Sequence, residues 1–319
     1  MGGSVFRAKT IAIQGAGVSG TGCGKSLIVA ILCRLFAEDG YRVAPFKALN
    51  LTNVTYVDDD GREYGYSQVL QAVAAGVEPD YRMNPFTPKP LGDGAFDIIL
   101  EGKVVERNVK PLKMILAFMG EGLRRIVGAG TLYDRVIESV KRCLDFLLDN
   151  YDIVCIEGSG PSKLRGLGFF SRLMDIPNMI TVKMASAPVI LLAGSIDSAI
   201  ATYNYLDNDE RKFIKGILLN RFNYYSLERE IVEEMGVPRR LFEIGVKRIE
   251  GDWLKKFNIS LEVLGSIPYL EELSNLPDLD PLVSEERIDL NVWRRLVPRL
   301  AEKVRKNIDL DKIYRVMGF

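Results

Sequence analysis

The chain has 319 residues, 47% apolar and 26% charged, enough to bury one large core or two modest ones. Its 42 basic and 42 acidic residues cancel, which argues against a nonspecific nucleic-acid or anionic-membrane surface. Histidine is absent, so imidazole-ligated metals and Ser-His or Cys-His nucleophile pairs are excluded.

The opening "MGGSVFRAK" has no signal-peptide apolar region, and runs such as "MILAFM" are far short of a membrane span. Cys23, Cys33, Cys143 and Cys155 are scattered without CxxC spacing. That pattern fits buried free thiols in a reducing, cytoplasmic protein better than a zinc site or a disulfide framework. A short apolar strand is expected at 9–14 ("KTIAIQ"), then a glycine-rich loop, a helix over 26–40 stopped by Gly40, and a strand at 41–47 ("YRVAPFK"). A helix at about 66–77 follows, then a strand at 96–100 ("FDIIL") and a long amphipathic helix over 132–150. Beyond it come strands at 152–157 ("DIVCIE") and 187–193 ("APVILLA"), a helix near 197–206, a strand at 213–220, a helix near 226–235 and a strand at 261–269. The Pro-rich, acidic stretch 274–286 reads as a linker to a terminal helix over about 287–307. Apolar strands without alternation, separated by helices, predict an α/β fold with a mostly parallel sheet covered by helices on both faces.

The loop from Gly15 to Gly24, followed by Lys25, Ser26 and an apolar helix, carries the first chemistry. Glycines between a first strand and a helix let backbone N–H groups converge on a phosphate chain, with the positive helix end behind them. Lys25 is placed to face the β- and γ-phosphates and the Ser26 hydroxyl to bind Mg2+. Gly20, Thr21, Gly22, Cys23 and Gly24 would line the cradle. The loop is a variant, because the strict GxxxxGK[ST] spacing wants glycine where Ser19 stands.

The likeness extends well beyond the loop. "APFKALNLT" (44–52), "GREYGYSQVLQAVAAGVEPDYRMNPFTPKP" (61–90), "YDIVCIEGSG" (151–160), "GILLNRF" (216–222), "LGSIPY" (264–269) and "LPDLD" (276–280) resemble the synthetase domain of the cobyric acid synthase family. That family belongs to the dethiobiotin synthetase-like P-loop NTPase group. The resemblance implies a P-loop synthetase domain over 1–285 and a helical C-terminal segment over 286–319. It also implies ATP- and Mg2+-dependent amidation of corrin side-chain carboxylates, with ammonia supplied by a glutaminase. Asn220 and Pro268 match positions that read adenine in the wider group, and the group's members often dimerise, which leaves a homodimer open.

A carboxylate is a poor acyl donor, so an amidating enzyme first makes an acyl phosphate, a step that depends on positioning and charge neutralisation. Lys25 and Lys47, the latter ending the second strand, are placed to clamp the γ-phosphate. Glu157, which ends a buried strand, is placed as a Walker-B-like Mg2+ carboxylate. Asp58, in the run Asp58, Asp59, Asp60, is a further candidate metal ligand, although such a run before glycine is equally a solvated turn. Lys89 either faces substrate carboxylates or is an ordinary surface lysine. The catalytic set is therefore Lys25, Lys47 and Glu157, and the metal set Ser26, Glu157 and Asp58.

The sequence also departs from the family. Gly22 stands at the usually acidic loop position, the run after Glu157 is the basic "PSKLRGL", and "GSIDSAIA" keeps Asp197 but loses the family's Arg-Gly-Gly. Residues 106–130 have no clear counterpart. Two other functions stay open: a related ligase or phosphotransferase acting on another carboxylate or amine, and a noncatalytic nucleotide-binding partner. Without histidine to deprotonate a cysteine, this chain is expected not to hydrolyse glutamine itself. Amidation is then expected to use free ammonium or a separate glutaminase chain.

Overall fold

The computed structural model describes residues 7–17, 24–92, 94–118, 130–163, 169–220, 230–280 and 286–319. Its centre is a six-stranded parallel sheet made of β1 (Lys9–Gly15), β2 (Val43–Phe46), β8 (Ile153–Pro161), β9 (Val189–Ala193), β10 (Ile214–Asn220) and β11 (Glu262–Ile267). The strand order is β11-β10-β9-β1-β8-β2, every neighbouring pair parallel. Successive side chains leave opposite faces of a strand, and here both faces are apolar. Ala12, Val154, Leu191 and Leu219 enter one core, whereas Ile11, Ile13, Ile153, Cys155, Leu192 and Leu218 enter the other. That is why the strands read as continuous apolar runs.

On the second face lies α1 (Lys25–Glu38), whose Ile28 to Phe36 stretch is almost wholly buried. It packs against α2 (Tyr66–Ala75) and a C-terminal helix, α10 (Leu290–Arg305). Each of the first two helices runs into a glycine of positive φ, Gly40 and Gly76, where an L side chain would be strained. The first face is covered by α4 (Gly130–Asn150), α5 (Phe169–Asp175), α6 (Thr181–Ala185) and α7 (Ile196–Tyr205). The short α8 (Asn208–Arg211) and the longer α9 (Arg239–Lys256) lie before and after β10 in the chain, and α11 (Leu310–Met317) closes it. Among the described residues, no helix is long and apolar enough to cross a membrane.

Several expectations change. The strand at 96–100 exists, but it is β6 (Phe96–Leu100) of a separate antiparallel sheet with β5 (Phe86–Pro90) and β7 (Lys103–Val109). Parallel neighbours need a long crossover, whereas β6 and β7 are joined by Glu101 and Gly102, both at positive φ, which makes a tight hairpin. A second hairpin, β3 (Thr55–Val57) with β4 (Glu63–Gly65), was not expected, nor were α3 (Pro111–Ala117) and α9. Of the helix expected near 226–235, residues 226–229 lie outside the described residues, and Glu230–Glu234 is one π-helical turn. In the linker-like stretch, Leu279 is buried and Leu276 partly so, both against the second core. The terminal helix expected over 287–307 is α10, and Trp293 within it is fully buried with Nε1 donating to Leu70 O at 2.7 Å.

Candidate functional site

The parallel strands all end at one edge of the sheet, where such folds hold their ligands. Register aligns the chemistry there. Phe46 of β2 lies opposite Ile156 of β8, so Lys47 comes level with Glu157. Ile13 of β1 also lies opposite Glu157, two residues before β1 ends at Gly15. On the far side, Asn220 pairs in register with Ile267, which sets Asn220 beside Pro268 at the ends of β10 and β11.

Gly24 caps α1 with φ +84°, and a Cβ built on it would stand 2.8 Å from Asn220 Nδ2. Glycine is thus required twice, for its left-handed backbone and for the close approach of the β10 end. Lys25 and Ser26 open α1, with Lys25 buried. Gly20, Thr21, Gly22 and Cys23 lie outside the described residues.

Glu157 is 1% exposed and is the hub of a hydrogen-bonded cluster. Its Oε1 accepts from Lys47 Nζ at 2.8 Å and from Ser26 Oγ at 2.7 Å. Its Oε2 accepts from Gln71 Nε2 at 2.5 Å and, more weakly, from Gln68 Nε2 at 3.4 Å. Lys47 Nζ also donates to Asp280 Oδ2 at 2.5 Å, and Asp280 Oδ1 accepts from Asn50 Nδ2 at 3.0 Å. Burial alone would lower the Lys47 pKa, but the carboxylates of Asp280 and Glu157 outweigh it and hold the ammonium above the ordinary lysine value.

The backbone around the cluster is held by Asn84, whose Nδ2 donates to Lys47 O at 2.9 Å while its Oδ1 accepts from Gly65 N at 2.8 Å. A Cβ on Gly65 would come within 2.6 Å of Asn50 Nδ2 and 2.8 Å of both Asn84 Oδ1 and Gln68 Oε1. The turn into α2 must therefore be glycine, and α2 then presents Ser67, Gln68 and Gln71, all buried, to the site.

The donor set suits a hard divalent cation. Gln71 Nε2 is fixed by Ser26 O at 3.2 Å and by Glu157, which leaves Gln71 Oε1 buried with no hydrogen-bond partner. An orphaned carbonyl oxygen beside a serine hydroxyl and a carboxylate is the kind of oxygen set Mg2+ takes, completed by water and phosphate rather than by an all-protein cage. No group of three or more carboxylates or thiols that could hold a metal occurs among the described residues.

Asp58 serves its own turn. Its Oδ1 accepts from Asp60 N at 3.1 Å and Arg62 N at 2.8 Å, capping the β3–β4 turn. Short acidic side chains favour such turn-closing bonds to the backbone two to four residues on. Lys89 donates to Glu63 Oε1 at 2.5 Å, an ion pair with the β4 strand. Asp197 lies in the first turn of α7, whose cap is Ser195. Reading residues for their chemistry missed Asp280, Gln71, Gln68 and Asn50. Two signals lie in the sequence: a helix whose buried face carries Ser67, Gln68 and Gln71 where apolar residues belong, and the acidic "LPDLD" at 276–280.

The family model described as CobQ/CobB/MinD/ParA nucleotide binding domain, CbiA, matches residues 16–280. A probable cobyric acid synthase of Methanothermobacter thermautotrophicus is 33% identical over 96% of this chain and 58% of its own length. Cobyric acid synthases of Thermoanaerobacter sp. and Clostridium tetani are 35% and 33% identical, over 81% and 90% of this chain and 44% and 56% of theirs. The chain thus spans about half the length of the curated relatives it matches.

Proposed function

The chain belongs to the CobQ/CobB/MinD/ParA nucleotide-binding domain family, and on that premise we propose that it is an ATP- and Mg2+-dependent amide synthetase acting on a side-chain carboxylate of a corrinoid. The observation that carries this reading is the convergence of Ser26, Lys47 and Glu157 at the foot of the glycine loop, with Gln71 Oε1 orphaned beside them. In this reading residues 1–285 carry the chemistry and 286–319 buttress it. ATP, when bound, would transfer its γ-phosphoryl group to the carboxylate oxygen with release of ADP, and ammonia would then displace phosphate from the acyl carbon to leave the amide.

Ser26, Glu157 and Gln71 would hold Mg2+ through their oxygens. Lys25 and Lys47 would place positive charge where negative charge accumulates during phosphoryl transfer, Lys47 being held beforehand by Asn84 and the carboxylates. Asn220, which ends β10, and Pro268, just past β11, would meet the base. Ammonia arrives as free ammonium or from a separate glutaminase chain, and the setting is the cytoplasm.

The test is ADP release by the purified protein with ammonium, with and without cobyrinic a,c-diamide. Stimulation by the corrinoid supports the proposal. A basal rate indifferent to it points to a ligase for another carboxylate or amine, and nucleotide binding without turnover points to a noncatalytic switch. Formation of glutamate from glutamine by this chain alone, at a rate comparable to synthesis, would overturn the assigned ammonia source.

A further inference from the structure

We propose that Asp280 is a built-in anion that occupies the phosphate side of Lys47 until a triphosphate displaces it, so that the site discriminates between ATP and ADP. The inference rests on the nucleotide reading above and adds to it a residue and a selectivity.

Lys47 has one ammonium group with three donor positions. Two are committed, to Glu157 Oε1 at 2.8 Å and to Asp280 Oδ2 at 2.5 Å. The two carboxylates differ in how they are held. Glu157 is fully enclosed and tied to Ser26, Gln68 and Gln71. The Asp280 side chain is 18% exposed, against 1% for Glu157. Of its two carboxylate oxygens one takes Lys47 and the other takes Asn50. Leu279, buried in the second core, brings the carboxylate up to Lys47. A γ-phosphate reaching Lys47 meets this carboxylate as a like charge in a poorly screened setting, so the two compete for the same ammonium. A diphosphate, which stops one phosphate short, does not reach the contested position. Asp280 therefore has two uses: it keeps Lys47 aimed before nucleotide binds, and it sets a threshold that only a triphosphate crosses.

The experiment is calorimetric titration with the β,γ-imido analogue of ATP and with ADP, each with Mg2+, on the wild type, Asp280→Asn and Asp280→Ser. Asp280→Asn is expected to bind the analogue about tenfold more tightly, equivalent to ~1.4 kcal/mol, with ADP affinity unchanged. In a Lys47→Met background the same replacement should change neither affinity. Weaker or unchanged analogue binding in both variants overturns the proposal and leaves Asp280 as a fixed support. Equal tightening of ADP and the analogue also overturns it, because that is a general charge effect. Failure of the wild type to bind either nucleotide overturns the nucleotide reading and this inference with it. Should both variants fail to fold, hydrogen exchange on the wild type decides: the peptide ending at Asp280 must lose protection with the analogue and not with ADP. Equal protection in both states rejects the displacement.

Discussion

Lys47 and Lys163 each sit between two carboxylates, in structurally different ways. Lys47 lies between Glu157 and Asp280, and Lys163, two residues past β8, lies between Glu210 at 2.5 Å and Asp175 at 3.3 Å. Glu210 spends its second oxygen on Asp207 N at 3.1 Å in the capping box of α8, with Lys183 3.8 Å from its first. The Lys163 cluster thus clasps the segment after β8 to helix termini. Glu157, by contrast, reaches the phosphate-loop serine and an amide with an orphaned oxygen. The same charge pattern is a structural fastener in one place and a candidate ligand site in the other. What separates them is the neighbours of the carboxylates, and four predictions press on that difference.

The largest effect is expected at the first lysine. Lys25→Ala and Lys47→Met should each lower ADP release by about 10²–10³-fold, the loss of one preorganised transition-state charge, whereas Lys163→Met should leave nucleotide affinity unchanged. Equal loss of nucleotide binding in Lys47→Met and Lys163→Met would erase the contrast. Lys163→Met should instead reduce stability, by about 2–3 kcal/mol, since it removes the ammonium shared by Glu210 and Asp175, measurable by denaturant melting.

Glu157→Gln comes next. Nucleotide binding should remain measurable while the Mg2+ concentration needed for half-maximal binding rises, because a neutral amide replaces a hard anionic oxygen. An unchanged Mg2+ titration would remove Glu157 from the metal set.

The helix that carries Gln68 and Gln71 is braced from the C-terminus, by Tyr66 OH donating to Ile288 O at 2.6 Å and Trp293 Nε1 to Leu70 O. Trp293→Phe should cost about 1–2 kcal/mol, through the lost hydrogen bond and the smaller ring, and should weaken nucleotide binding in parallel. A melting change with nucleotide affinity untouched would show that the brace and the site are independent.

The smallest effect concerns pH. Burial raises the Asp175 carboxyl above its ordinary 3.8, against the pull of Lys163. A raised folded-state value means the folded protein holds that proton more tightly than the unfolded chain, so this contribution is full below 3.8 and fades as pH rises through the folded value. Asp175→Asn should remove that decline from the stability profile between acid and neutral pH. Lys47 itself contributes nothing in that range, because it is held above its ordinary value and its contribution fades only in alkali.

Local pattern alone was enough for the strand–glycine loop–helix–strand opening, for the apolar strands of the central sheet, and for nominating Lys25, Ser26, Lys47 and Glu157. Each of these follows from short-range chemistry: continuous apolar runs make doubly covered strands, and glycines before Lys-Ser make a phosphate cradle. The tertiary structure decided the remainder. It alone assigned Phe96–Leu100 to a second, antiparallel sheet, because a two-residue turn fixes strand direction while the strand's own composition does not. It alone carried Asp280 to Lys47, across 233 positions, and gave Asp58 to its own turn instead of to Glu157. A side chain's charge is written in the sequence, but which charge it meets depends on packing between elements far apart in the chain.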